Sequence, residues 1–198
     1  MSLELLNTLA TFGTFLVITA TAIAALVQLR HARGSNQIAA LKELNDESSS
    51  PKFTDAEVLV RSELAARIKD PEFRYQVAHP TATSRENQAL RMAARDIGNY
   101  YETMGLLVRT ELIDRELALN LWSRTAVAAW EWLATYAAII REERSDAVWE
   151  NFEYFVVLSE NWIASHPRGA YPPRLRRILL QNEYRYEDKR YAASRSVG

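Results

Sequence analysis

The 198-residue chain contains no cysteine, which excludes a disulfide framework and any thiolate metal site. Its three histidines, His31, His79 and His166, stand apart in sequence without ligand-spaced neighbours, so no metal centre is expected. The six glycines, Gly13, Gly34, Gly98, Gly105, Gly169 and Gly198, are scattered and form no phosphate-cradling loop. Serines such as Ser123 and Ser159 lack the elbow motif of a nucleophile. No catalytic residue, cofactor or metal is therefore expected, and the chain reads as a non-enzyme.

The most telling absence is of charge near the start. Leu5 through Leu29 is a 25-residue stretch without one charged side chain, closed by Arg30, His31 and Arg33. As a helix it is roughly 37 Å long, against a bilayer hydrocarbon core of about 30 Å. The run predicts a single membrane span. Two alternatives compete with it. Ala20-Thr21-Ala22 and Ala22-Ile23-Ala24 offer signal-peptidase spacing, but the apolar stretch is too long and Glu4 stands where a basic flank belongs. The many Ala and Thr residues also suit a buried helix of a soluble protein. Under the span reading, Arg30 and Arg33 hold the C-terminal side in the cytoplasm of a plasma (inner) membrane, with the N-terminus outside.

Polar residues are not spread evenly over this run. Asn7, Thr11, Thr14, Ile18, Thr21, Ala25 and Gln28 recur at alternating spacings of four and three, which places them on one helix seam. Small and hydroxyl-bearing residues serve helix–helix contact in lipid, so the seam predicts a homo-oligomer associating through the membrane helix. A water-lined pore is a sharper version. The plainer alternative is that each Thr bonds its own backbone carbonyl one turn back.

Charge elsewhere is divided. Residues 1–33 carry +1, residues 34–165 carry −7 and residues 166–198 carry +5, within a total of −1. An acidic body argues against nucleic acid as the domain's main partner. The basic tail suits either anionic lipid headgroups or the acidic body, or else is a solvated, partly disordered terminus. The expected organisation is a membrane anchor with a basic flank over 1–33, a helical cytoplasmic domain over 34–165 and the tail over 166–198.

Beyond the run, the apolar periodicity is helical throughout and no segment alternates with period two. Ile38, Leu41 and Leu44 continue the first helix until Asp46–Pro51. A second helix is expected from near Thr54 to before Pro71, and a short one from Glu72 to Ala78 behind the Asp70-Pro71 cap. Thr83-Ser84-Arg85-Glu86 reads as a capping box, opening a helix with Leu90, Ala93, Ile97, Tyr100, Tyr101, Met104 and Leu107 on its buried stripe. Asp114 caps the next, with Trp122, Ala126, Ala129, Leu133, Tyr136 and Ile140 apolar. Asp146 is expected to open the last long helix, with Val148, Phe152, Phe155 and Trp162 on one face. The fold class is all-α: one N-terminal transmembrane helix followed by a bundle of about five or six helices.

Tyr101-Glu102-Thr103-Met104-Gly105-Leu106-Leu107-Val108-Arg109 with Leu112-Ile113-Asp114 resembles the central signature of the domain of unknown function 4760 family. Val27-Gln28-Leu29-Arg30-His31, Leu121-Trp122 with Trp130, Trp149 to Tyr154 and Gly169-Ala170-Tyr171-Pro172 add to the likeness, which covers about Thr14 to Pro173. The resemblance implies a bacterial protein with one N-terminal membrane helix and a helical cytoplasmic domain. It implies no activity and no catalytic residue.

Two polar patterns remain. Arg74 and His79 have the spacing of the Arg and His of helical ribonucleases of the HEPN superfamily, where the imidazole does acid–base work and the guanidinium stabilises a phosphate. Here the pair falls between Pro71 and Pro80, outside any long helix. Arg91, Arg95, Gly98 and Glu102 share one helix face: a solvated face, a buried ion-pair network or a ligand site. The functional expectation is a self-associating scaffold or interaction module, bound to lipid and to an unidentified cytoplasmic protein. The alternative is a membrane-perturbing, pore-forming effector of the kind used in phage defence.

Overall fold

The computed structural model of the chain describes residues 3–79 and 84–195. Helices account for all its regular structure, and no strand occurs among the described residues. Two compact units are present, Met1–Pro167 and Arg168–Gly198.

In the first unit, α1 (Leu3–Ser48) is one 46-residue helix, about 69 Å long at the standard rise. It passes through Arg33 and Gly34 without a break. Every described side chain before Gln37 is exposed. From there Gln37, Ala40, Leu41, Leu44 and Ser48 turn inward at helical spacing, and Leu44 is buried. The last three turns of α1 therefore belong to the bundle.

The second helix begins three residues earlier than its apolar pattern suggests. Ser50 accepts from the Phe53 N–H at 3.2 Å, and Pro51 occupies the first helical position of α2 (Pro51–Leu59), where its missing N–H costs nothing. A π-turn (Val60–Leu64) and α3 (Ala65–Arg67) follow directly. Asp70 accepts from the Glu72 N–H at 2.9 Å and opens α4 (Pro71–Ala78).

The cap of α5 (Arg85–Arg109) is Ser84, bonded to the Asn87 N–H at 3.3 Å. The reciprocal box does not form: Asn87 rather than Glu86 occupies the third helical position, and the Ser84 N–H donates instead to Gln76 of α4 at 3.1 Å. Glu86 pairs instead with Arg67; Thr83 lies outside the described residues. At the other end of α5, the Leu112 N–H bonds the Leu107 carbonyl at 3.0 Å and the Glu111 N–H bonds Val108 at 3.2 Å. This paired closure puts Glu111 in the left-handed region at φ 58, a position that favours glycine.

Asp114 caps α6 (Arg115–Glu143) through the Leu117 N–H at 2.8 Å. The final helix of the unit, α7 (Glu150–Ser165), starts four residues after Asp146, and Val148 sits in the preceding turn. Its N-cap is Trp149, at φ 55 and with no capping side chain of its own. The second unit contains α8 (Arg185–Arg195).

Helices α5, α6 and α7 run up, down and up. Tyr136 of α6 reaches the Arg91 carbonyl near the start of α5, while the Trp162 indole of α7 donates to Glu116 at the start of α6, at 3.2 Å. Tyr100 of α5 donates to the Leu44 carbonyl at 3.3 Å, and Gln37 lies beside Val108 and Arg109, so α1 runs antiparallel to α5. One end of the bundle therefore holds Gln37, the α5–α6 turn, the start of α6 and the end of α7. The core between them is built on Ile97, Met104, Leu133, Phe152 and Phe155, all fully buried or nearly so.

Candidate functional site

Helix α1 is the one helix among those described that is long and apolar enough to cross a membrane. The seven seam residues, Asn7 to Gln28, are all exposed on it. Their hydroxyls are turned into the helix: Thr11 donates to the Asn7 carbonyl at 2.9 Å, Thr14 to Ala10 at 2.9 Å and Thr21 to Val17 at 2.8 Å. Thr8 and Thr19, off the seam, do the same. With each hydroxyl proton used at home, the seam offers outward only methyl groups and oxygen lone pairs, plus the amides of Asn7 and Gln28. This is the plainer arrangement of the two weighed in the sequence, and because Thr8 and Thr19 adopt it too, the threonine bonds do not set the seam apart from the rest of the helix. Arg30 and Arg33 follow, exposed, on the same helix.

The second concentration of polar groups lies where α7 begins. Gly98 and Gly105 allow α7 close to α5: a Cβ on Gly98 would stand 2.0 Å from the Trp149 ring, and one on Gly105 would stand 2.0 Å from the Asn151 carbonyl oxygen. Glu102 lies between them on the same face. One of its oxygens accepts from the Asn151 amide at 2.8 Å, the other from the Phe152 N–H at 2.9 Å. Glu102 thus caps α7 from a neighbouring helix, where its charge also suits the helix dipole. Arg109 closes the other side, donating to Asn151 at 3.1 Å and Glu150 at 3.3 Å. The Trp149 indole donates to Asn99 at 3.1 Å. Arg141 of α6 donates to the Val148 carbonyl at 2.9 Å and to Glu153 at 2.7 Å, and lies over the Trp130 ring.

The face shared by Arg91, Arg95, Gly98 and Glu102 in sequence is divided in the structure. Both oxygens of Glu102 are committed to α7, Arg91 lies three turns away beside Tyr136, and Arg95 is exposed. The face is divided among three tasks. Asn151, Arg109 and Arg141 were missed by sequence reasoning. The two glycines seven residues apart, with Glu102 between them, were the available sign of a close helix approach.

Arg74 and His79 are likewise separated. Arg74 donates to the carbonyls of Ile68 and Lys69 at 2.9 and 2.8 Å, closing the end of α3. The exposed His79 ring stacks on Tyr75, with its Nδ1 3.0 Å from the Tyr75 carbonyl. The two side chains converge on no common point. Among the described residues, no group of three His, Asp or Glu is placed to hold a metal.

A cavity of ≈ 380 Å³ opens at the end of the bundle where α1 enters, lined among others by Gln37, Arg109, Glu111, Asp114, Arg115 and Tyr154. It carries both signs of charge. Arg109 and Asp114 are already bonded within the fold. Three buried tyrosines are held neutral: burial pushes the Tyr101 phenol up to about 12, and burial raises Tyr100 and Tyr136 in the same direction.

Fold and site together define an all-helical protein with one exposed helix long and apolar enough to cross a membrane, and a self-capped bundle behind it. The profile of the domain of unknown function DUF4760 matches residues 15–162, and the chain belongs to that family. The match begins within α1 and ends near the close of α7, so it takes in the exposed helix as well as the bundle. No curated protein and no solved structure matches the chain.

Proposed function

We propose that the protein is a membrane-anchored, non-enzymatic interaction module that self-associates through α1 and presents its acidic bundle to a cytoplasmic protein. One observation carries this reading: α1 exposes every described side chain before Gln37, yet continues without a break into a bundle that buries Leu44. An apolar face of that length is stable only if something other than water covers it. The unbroken helix fixes the bundle's position relative to whatever covers α1. In this reading α1 spans the inner membrane once, with Arg30 and Arg33 on the cytoplasmic side. The seam's regular spacing and small side chains support the association; its threonine hydroxyls, bonded within their own helix, do not.

Light scattering in detergent tests the association. The wild type is expected to be oligomeric, and Thr14→Leu/Thr21→Leu to shift it toward monomer. Unchanged mass would remove the seam from the account. Expression in cells with a potential-sensitive dye separates the module from a pore-forming effector: the module leaves the membrane potential intact, and depolarisation that depends on Thr14 and Thr21 would overturn it.

A further inference from the structure

The second unit carries an apolar run whose exposure the rest of the chain does not explain. Leu175, Ile178, Leu179 and Leu180 are 62%, 82%, 90% and 90% exposed. They are interleaved with Arg174, Arg176 and Arg177, and no acidic residue occurs from Asn161 to Asn182. Tyr184, Tyr186 and Tyr191 follow, also exposed, in a stretch where Glu183, Glu187 and Asp188 balance Arg185, Lys189 and Arg190, so the positive charge of the segment lies at Arg174, Arg176 and Arg177. Exposed leucines alone would identify no partner. Leucines set among arginines without a compensating acid, then tyrosines, fit the boundary of an anionic bilayer, where apolar groups enter the acyl edge and guanidinium groups meet phosphates.

The first unit ends, at Pro167, on the side of the bundle where α1 enters. Helix α7 ends beside the start of α6, the end of the bundle where Gln37 lies. From Gln37 back to Leu29, the last residue of the uncharged run, α1 rises about 12 Å. From Pro167 to Leu175 the chain can extend as far as about 27 Å. The tail therefore leaves the bundle at its membrane-facing end with ample length to reach the headgroups.

We propose that residues 174–191 form a second membrane contact, a basic and apolar segment that docks on anionic lipid beside the span. This rests on α1 crossing the membrane, and the test keeps the two ideas apart. The native chain has no cysteine, so a single environment-sensitive fluorophore can be placed at Ile178→Cys or, as reference, at Thr19→Cys. Each full-length protein is reconstituted into vesicles of phosphatidylcholine, with or without phosphatidylglycerol, and quenched by spin-labelled lipid.

The probe at position 19 should be quenched in both vesicles. That at position 178 should be quenched at least about twofold more in the anionic ones, losing the excess at high salt and in Arg174→Ser/Arg176→Ser/Arg177→Ser. Quenching at 19 but not at 178 overturns the docking and leaves the span standing. No quenching at 19 overturns the span. A blue shift at 178 without lipid quenching places the segment on protein, either the acidic body or a second copy, and overturns the lipid assignment. Equal quenching at 178 in both vesicles overturns its charge selectivity.

Discussion

Residues 3–36 and the bundle behind them use similar apolar side chains toward opposite ends. Phe15 is 63% exposed on α1, whereas Phe152 is fully buried between Tyr101 and Trp130. Gly13 and Gly34 have nothing within 4 Å of a built Cβ, whereas Gly98 and Gly105 have α7 pressed against them. Threonines on α1 satisfy themselves within their own helix, while polar groups of the bundle reach across helices: Glu102 to α7, Arg109 to Asn151, Trp162 to Glu116. The bundle supplies its own partners for its apolar and polar groups. The α1 extension supplies only the polar ones, and its apolar surface needs a covering from elsewhere.

Paired substitutions sharpen the contrast. Phe152→Ala should cost the bundle about 3–5 kcal/mol in denaturant unfolding, from lost burial and the cavity it leaves. Phe15→Ala should leave that same midpoint within about 0.5 kcal/mol. Gly105→Ala should cost about 3 kcal/mol, because the new methyl meets the backbone oxygen of Asn151 and α7 must shift. Gly13→Ala meets nothing and should leave the bundle's unfolding unchanged. If the two members of either pair behave alike, the division between the regions fails.

Alkaline titration isolates the bundle by another route. Tyr101 rises in the folded protein to about 12, above its unfolded value of about 10. Its contribution is therefore fully present below pH 10 and is lost as pH climbs from about 10 toward 12, a loss of about 2–3 kcal/mol. Tyr100 and Tyr136, raised in the same direction by burial, steepen the fall. The near-ultraviolet circular dichroism of the bundle should collapse over that range. Phenolate absorbance rising well before the collapse would show the rings accessible. Among the bundle substitutions the smallest loss is expected at Glu102→Ala, about 1–2 kcal/mol, through loss of the cap on α7. Hydrogen exchange should locate it at Asn151 and Phe152, and uniform loosening would argue against a cap.

Much of the bundle was legible along the chain because its signals are local. The Asp70 and Asp114 caps and the buried series Leu90, Ala93, Ile97, Tyr100, Tyr101 and Met104 follow from residues within one or two turns. The errors arise where the partner is distant. Helix α7 begins at Glu150 rather than Asp146 because its cap comes from Glu102, 50 residues before Phe152. The face of Arg91, Arg95 and Glu102 looked uniform in sequence, yet Glu102 is committed to α7, Arg91 lies beside Tyr136 and Arg95 is exposed. The expected capping box gives way to a single cap at Ser84, because the Ser84 N–H finds its partner in Gln76, eight residues back on α4. The seam of α1 is legible as a pattern, but what it meets is not written in the residues that form it.

On the proposed reading α1 lies in a bilayer as far as Leu29 while the bundle lies in water. A chain without native cysteine allows a direct test, with Thr19→Cys and Glu142→Cys exposed in turn to a membrane-impermeant maleimide on native membranes. Position 142 should react once the membrane is opened, and position 19 only after denaturing detergent dissolves the lipid. Labelling of position 19 in native membranes at the rate of position 142 would contradict the account.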